Sequence, residues 1–388
     1  MNSFEDATGG LRTAQRKKRP ERRPKLREAC WEDFDQIAAL QTRNGLATRS
    51  YEDWMEFWRG NPVYKQLGGQ WPIGWVLEIE DSEIVGSIGN IPVAYQFRGR
   101  ELRAAAACSW AVDARYRCYS MLLLDSLLSQ KDVDFFISTT VSSWAEPAFT
   151  VFQSSRLPVG TWNKSAFWIS NYRGFSYSVL RRTSIPLATL ISYPLSAALF
   201  CRDRFITAGM RAHGSTADLE LCSEFDGRFE EFWEELKHQN DNILLAVRTR
   251  ETLRWHFRNS LSRGSARILA ASKGSRLIAY AIFDRQDNFV LGLKRARLVD
   301  FQAVHGAEEV LRSVLCWMLH KCWEEGIHVL EVKGCWLDRQ GLPRILAPYH
   351  RTFASWAYYY KANDKELRET LKDPKVWAPS SFDGDASL

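Results

Sequence analysis

The sequence predicts an α/β (α+β) protein of two similar halves, each a mixed, mostly antiparallel sheet flanked by helices. Three observations predict it. The chain has 388 residues, more than one ordinary hydrophobic core accommodates, so two domains are expected. Over residues 25–172 the hydrophobic spacing reads strand, two helices, a meander of strands, helix, strand, helix, strand. Over residues 229–332 the same order recurs more loosely, and antiparallel strands leading into a β-α-β-α unit make a mixed sheet with helices on both faces.

In the first half, Leu26–Ala29 reads as a short strand, followed by a helix over Trp31–Gln41 with Phe34, Ile37, Ala38 and Leu40 at helical spacing. Glu32 and Asp33 suit the positive end of that helix. A second helix, Tyr51–Arg59, is stopped by Gly60, Asn61 and Pro62. Strands follow at Gly74–Glu80, Glu83–Ile88, Val93–Phe97, Glu101–Ala105 and Ala106–Val112, with turns at Asp81-Ser82 and Arg98-Gly99-Arg100. A polar turn, Asp113–Tyr119, leads into a helix over Ser120–Gln130. Val133–Ser138 is a buried strand, Ser143–Gln153 a helix, and Ala166–Ser170 the closing strand of this half.

The second half has helices at Phe229–Gln239 and Arg250–Asn259, and a hairpin of Arg267–Ala271 with Arg276–Asp284 about Lys273-Gly274-Ser275. A strand at Ala296–Gln302, a helix over Glu308–Glu325 ended by Gly326, and a strand at Ile327–Val332 complete the repeat. The expected division is a basic disordered tail at 1–24, a first domain at 25–175, a linker at 176–215, a second domain at 216–362 and a C-terminal tail at 363–388. Within that tail, Trp377, Phe382 and Asp383-Gly384-Asp385 are candidates to fold back onto the body. In the linker, Ile185–Cys201 is mostly apolar between Arg181, Arg182, Arg202 and Arg204, and Pro186 and Pro194 interrupt it. It is either a packed helix or hairpin between domains or a weak membrane-surface contact.

Charge is unevenly placed. Residues 1–28 hold nine Lys/Arg against four Asp/Glu, and the remaining chain carries 43 against 42. The run Arg12–Lys25 has too few apolar residues to offset chain entropy and reads as disordered. A nearly neutral body argues against a specific nucleic-acid partner. The eight Cys form no CxxC pair and the seven His do not bracket them at zinc spacing, so no metal site is expected. With no apolar leader at the N-terminus, reduced thiols in the cytoplasm are the simplest expectation. Sixteen Trp suit core anchors and a site for a large organic ligand.

On three stretches the chain resembles the GNAT N-acyltransferase superfamily: LREACWEDFDQIAAL (26–40) is similar to its first strand and helix, AACSWAVDARYRCYSMLLLDSLL (106–128) to its fourth strand, pyrophosphate loop and third helix, and DVDFFISTT (132–140) to its fifth strand. The resemblance covers residues 25–172; the second half resembles a degenerate copy, making the chain a tandem member. In this family, backbone N–H groups at the start of the third helix hold the CoA diphosphate. The resemblance gives that role to Arg117, Cys118, Tyr119, Ser120, Met121 and Leu122. Arg117 matches the family pattern, while Ser120 and Leu122 stand where small residues, the first a Gly, are usual. It also implies a splayed fourth strand with a backbone N–H near Ala111 or Val112 facing the thioester carbonyl.

Acyl transfer to an amine needs a base for the nucleophile and an acid for the leaving thiolate. The family's acid Tyr falls on Phe152, which cannot donate a proton, leaving Tyr119 or a water as its substitute. The candidate bases are Glu146 and Asp113, each with a bland alternative as a helix-end or turn residue. Ser138, Thr139 and Thr140 stand at the carboxyl end of a strand, where open α/β sheets bind ligands, and are candidate substrate contacts. Cys118 lies beside Arg115 and Arg117, yet no His occurs in residues 1–172 to pair with it as a nucleophile. His256 and His305 read as structural or surface histidines, and the second half as a support that bounds an acceptor cleft. The expectation is therefore an acyltransferase that uses acetyl-CoA or another acyl-CoA as co-substrate and a small-molecule or peptide amine as acceptor. An aminoacyl-tRNA-dependent ligase of the Fem type and a non-catalytic ligand sensor are the alternatives.

Overall fold

A computed structural model describes residues 23–159, 162–206, 217–334, 347–352 and 357–388. Most of the basic run at the N-terminus lies outside the described residues. The first half runs β1 (Lys25–Glu28), α1 (Phe34–Arg43), α2 (Tyr51–Arg59), α3 (Pro62–Gln66), β2 (Gly74–Glu78), β3 (Ile84–Phe97), β4 (Arg100–Val112), α4 (Ser120–Leu128), β5 (Phe135–Val141), α5 (Glu146–Val151) and β6 (Ser155–Arg156). After β7 (Lys164–Ile169) comes a helical hairpin of α6 (Tyr172–Arg182) and α7 (Ala188–Ile206). The second half runs β8 (Asp218–Cys222), α8 (Gly227–Gln239), β9 (Leu245–Ala246), α9 (Arg250–Ser262), β10 (Arg267–Lys273), β11 (Arg276–Arg285), β12 (Arg295–Ala303), α10 (Val310–Glu324) and β13 (Val329–Lys333). β14 (Tyr349–Thr352), β15 (Ala357–Ala362) and α11 (Lys365–Thr370) end the regular structure.

The strands form two sheets. One has the order β1-β2-β3-β4-β5-β15-β6 with β9 added on β3, and the other the order β14-β7-β13-β12-β11-β10-β8. Each has one parallel pair, β4 with β5 and β12 with β13, joined across α4 and α10 respectively. Alternation along the strands divides the first sheet's faces. Val76, Ile84 and Ala111 pack under Ile37 and Leu40 of α1, whereas Leu77, Val85 and Val112 join the main core with Leu123, Leu124 and Leu127 of α4. The two helices therefore cover opposite faces.

Three local differences from the sequence reading have simple causes. β3 and β4 are each one strand where two were expected, because Pro92 pairs with Ala105 without ending β3 and a bulge bends β4 without breaking it. The Asn61-Pro62 pair does not merely stop α2: Asn61 accepts from the N–H of Val63 at 2.9 Å and Pro62 occupies the first turn of α3. The expected closing strand of the first half forms as β7 but joins the second sheet, pairing with β13 and β14. Its place beside β5 is taken by β15 from the far end of the chain. The two halves thus exchange strands. β15 is buried on both sides, as its run Tyr358-Tyr359-Tyr360 suits, and Tyr358 stacks on Trp162 at 3.7 Å between ring centres.

The C-terminal tail folds back onto the body. Arg248 and Asp300, 1% and 0% exposed, form a bidentate pair at 2.8 and 3.1 Å. Ser380 joins it, donating its hydroxyl to Asp300 at 2.9 Å and accepting from Arg248 at 3.3 Å. The guanidinium also sits 4.6 Å above the Phe382 ring. Burial works against the Asp300 charge, but Arg248 and the surrounding donors outweigh it and hold this carboxyl below the usual carboxylate range.

Candidate active site

The site begins where two parallel strands part. β4 and β5 pair only over Ala104–Ala106 and Phe135–Ile137, although β4 continues to Val112 and β5 to Val141. Beyond that point they diverge and leave a wedge. β4 is bulged there: its register against β3 shifts between Ser87 and Gly89, and Ser109 takes φ 50°. The Asp113 N–H donates to the Val85 carbonyl at 2.9 Å, toward β3. Strand alternation then turns the Ala111 N–H toward β3 as well and the Val112 N–H toward the wedge.

Below the wedge, a 3-10 turn over Ala114–Tyr119 delivers the chain to the first residue of α4, Ser120. No acidic residue stands in the first turn of α4 and no side chain caps it, so the amides of this turn lack an intrahelical acceptor. Arg117, Cys118 and Leu122 are exposed, and Tyr119, Ser120 and Met121 are half-buried. Leu122 turns its side chain to solvent, 41% exposed, rather than into the helix-sheet contact.

On the α1 side of the sheet, against the same stretch of β4, lies a cavity of about 300 Å³. Phe34, Trp54, Phe57 and Trp58 line it from α1 and α2, and Ser87, Gly89, Cys108 and Ser109 from the strands. Ser87 carries a buried hydroxyl that has no hydrogen-bond partner among the described residues. Arg49 lies 4.4 Å over the Phe57 ring and has no carboxylate within ion-pair distance among the described residues. Burial lowers its pKa.

The tail supplies the last wall, with Asp385 and Leu388. The Tyr95 hydroxyl and the Ser380 N–H donate to Asp383 at 3.0 and 2.6 Å. Gly384 turns at φ +64°, where an added Cβ would stand 2.7 Å from Thr139. Asp385 then accepts from the hydroxyls of Thr139 at 2.8 Å and Thr140 at 3.1 Å, and its own N–H donates to Thr139. Burial raises the Asp385 carboxyl above the usual carboxylate range, only partly offset by the two threonines. Burial, with Asp385 nearby, pushes the Cys108 thiol up to about 12, so it is held as the neutral thiol.

The predicted site residues fall into three groups. Val112 and the residues Arg117–Leu122 surround the wedge and its floor. Thr139 and Thr140 stand at the far side of the wedge, with their hydroxyls engaged by Asp385; Ser138 is buried beside them. Asp113 and Glu146 are directed elsewhere. Asp113 is clasped by Arg43 at 2.7–3.1 Å and by Asn44, which together outweigh its burial and lower its pKa. Glu146, in the first turn of α5, accepts from the Tyr359 hydroxyl at 3.0 Å. Phe152 ends α5, and the phenol that the fold brings to this helix is Tyr359 of β15. Trp110 and Tyr359 both contact Phe149 there, at 6.2 and 5.3 Å between ring centres. Neither Asp385 nor Arg49 is expected as a site residue from sequence. Arg49 sits in a polar connector with no periodicity, and the pattern Asp-Gly-Asp near Phe382 was the one hint of Asp385.

The second sheet repeats the wedge and fills it. β12 and β13 pair over Arg295–Leu298 and Val329–Val332, and β12 is bulged against β11 at Val299. There the Val299 carbonyl accepts the Ser381 N–H at 3.1 Å, so the tail occupies the opening. Glu308 and Glu309, not basic residues, precede α10, an arrangement that repels a phosphate. His256 is buried and 2.7 Å from the Ser387 hydroxyl; burial lowers its pKa to about 3, which keeps it neutral.

No protein-family model and no curated protein matches the chain by sequence. Solved structures match it by fold. A GCN5-related N-acetyltransferase from Anabaena variabilis superposes with a TM-score of 0.54 at 11% identity, covering 88% of this chain and 73% of that one. A GCN5-related N-acetyltransferase from Kribbella flavida gives 0.53 at 10% identity, with 87% and 71% covered. N-myristoyltransferase of Saccharomyces cerevisiae with bound myristoyl-CoA gives 0.51 at 12% identity, with 87% and 79% covered. With a parallel pair beside a bulged strand in both sheets, the chain has the GCN5-related N-acetyltransferase fold in tandem form.

Proposed function

We propose that the protein is an acyl-CoA-dependent N-acyltransferase whose donor lies in the β4–β5 wedge and whose amine acceptor enters through the cavity beneath α1 and α2. The observation that carries this reading is the convergence of three features on one stretch of β4. These are an unpaired strand edge at Val112, an uncapped helix N-terminus with Arg117 below it, and a carboxylate, Asp385, at the cavity wall. The neighbours of known structure include one holding myristoyl-CoA, which supports an acyl-CoA as the donor.

In this reading the amides of Ser120, Met121 and Leu122, with Arg117, Cys118 and Tyr119, cradle the diphosphate. Asp385 accepts a proton from the acceptor ammonium, and the freed amine attacks the thioester carbon. The Val112 N–H donates to the oxygen that becomes negative in the tetrahedral intermediate. The carbon–sulfur bond then breaks; Tyr359, or a water beside it, protonates the leaving thiolate and takes back the proton that the attacking nitrogen sheds as the amide forms. Thr139 and Thr140 hold Asp385 in place rather than touch the acceptor. The free guanidinium of Arg49 favours acceptors with a carboxylate or phosphate among the aromatic rings. The tail plugging the second wedge supports a single donor site.

The test is the pH profile of acyl transfer from acyl-CoA to a panel of anionic amines. A base must be ionised to act, so the rate falls as pH drops through the raised pKa of Asp385. Asp385→Asn should remove that acidic limb and lower kcat by about 100-fold or more, while acyl-CoA binding persists. An unchanged profile in the variant would refute the assignment of the base.

A further inference from the structure

The helical hairpin between the two halves carries a surface for which neither sheet provides a cover. From Thr183 to Cys201 no residue is charged. Most of these residues lie in α7, which packs mainly against α6 and is otherwise open along nearly its whole length. Leu187 is 70% exposed, Leu190 64%, Tyr193 51% and Phe200 46%. A helix that is apolar on all sides belongs in a core or in lipid, and this one is in no core. Nor is any described helix long and apolar enough to cross a membrane.

A second element, beside the hairpin, carries the same chemistry. The tip of the β11–β12 loop presents Phe289 at 89% and Val290 at 81% exposure. It abuts α6: the Ser178 hydroxyl donates to the Gly292 carbonyl at 3.2 Å, and Arg181 lies beside Gly292. Gly174 lets α6 sit close to the second sheet, since an added Cβ would stand 2.2 Å from His328.

Charge is arranged around this apolar surface with one sign. Arg181 and Arg182 end α6, Arg202 and Arg204 stand in the last turns of α7, and Lys294 follows the loop tip. The one acid within the hairpin, Asp203, is buried and accepts hydrogen bonds from the hydroxyls of Tyr172 at 3.0 Å and Tyr349 at 2.8 Å. Asp287 of the loop is ion-paired with Arg285. The exposed side is therefore apolar with a basic rim, on a body that is otherwise nearly neutral.

We propose that α7 and the Phe289–Val290 tip dock the protein on an anionic phospholipid surface. α7 lies along the interface, its apolar side chains reach the acyl boundary, and the flanking arginines meet lipid phosphates. Charge complementarity selects this occupant over a second copy of the chain, because two copies would bring two basic rims together.

The test is co-sedimentation of the full chain with phosphatidylcholine vesicles with and without phosphatidylglycerol. Binding should require the anionic lipid and weaken as salt is raised. Arg181→Gln and Arg182→Gln should each weaken it by about fivefold. Leu190→Gln combined with Phe289→Gln, all at exposed positions, should reduce it by at least about tenfold while circular dichroism stays unchanged. Three results would overturn the proposal. The chain does not bind the anionic vesicles, the apolar replacements leave binding intact, or sedimentation velocity shows a dimer that Leu190→Gln dissolves.

Discussion

Arg248 ties together parts of the chain that lie far apart in sequence. It connects the segment after β9 to Asp300 of β12 and, through Ser380 and Phe382, to the tail that reaches the candidate site. Removing one partner of a buried pair leaves the other charge uncompensated, which costs far more than the pair is worth in net stability. Arg248→Met should therefore destabilise the protein by about 3–5 kcal/mol, read as a lower denaturation midpoint. Arg248→Met with Asp300→Leu should recover part of the loss. The depressed Asp300 pKa fixes the sign of the pH dependence. Its contribution is present above the ordinary carboxylate pKa and is lost as pH falls through the lower folded value, and the Arg248→Met variant should lack that acid-labile component. Sequence marked Asp385 as part of a tail that folds back, and Thr139 and Thr140 as site residues, but not that the acid meets the threonines. Where the tail docks is a tertiary fact, and burial there raises the Asp385 pKa against the opposing pull of the two threonines.

At the scale of elements, wedge, bulge and tail make one device. The strands part because β4 and β5 pair over three residues, and the tail crosses from the second sheet's bulge at Val299 to the first sheet's threonines. Its turn at Gly384 combines a positive φ with a close approach to Thr139, and both demand glycine. Gly384→Val should undock the last residues without unfolding the sheets. The expected signs are faster proteolytic trimming of the C-terminus and a loss of acyl transfer like that of Asp385→Asn, at nearly unchanged thermal midpoint. A tail that stays protected in this variant would show that the turn does not position Asp385. The turn before α4 was legible because a polar stretch separates two apolar runs of different period. The partner of β7 was not, because alternation tells which face of a strand is buried but not which edge it pairs along. β15 was missed for a related reason: Tyr358-Tyr359-Tyr360 is buried on both faces, so it shows no alternation to read.

For the whole molecule, element order was enough to expose two similar halves, and the exchange of β7 and β15 makes them interdependent. Each sheet is completed by a strand of the other half, so the wedge in the first sheet is framed on its β5 side by a strand from the C-terminal end. The second half is a support in a specific sense: it supplies β15, the Arg248–Asp300 clamp and the tail, while its own wedge is filled and its α10 start is acidic. The hairpin of α6 and α7 adds a face outside both sheets. In the proposed function the first sheet alone holds an acyl-CoA, with its diphosphate at the start of α4. Calorimetric titration of acetyl-CoA and a long-chain acyl-CoA into the full chain is the decisive measurement. One site per chain is expected, with about tenfold weaker binding in Arg117→Ala, as loss of a charged phosphate contact implies. Absence of binding by any acyl-CoA, or two sites per chain, would contradict it.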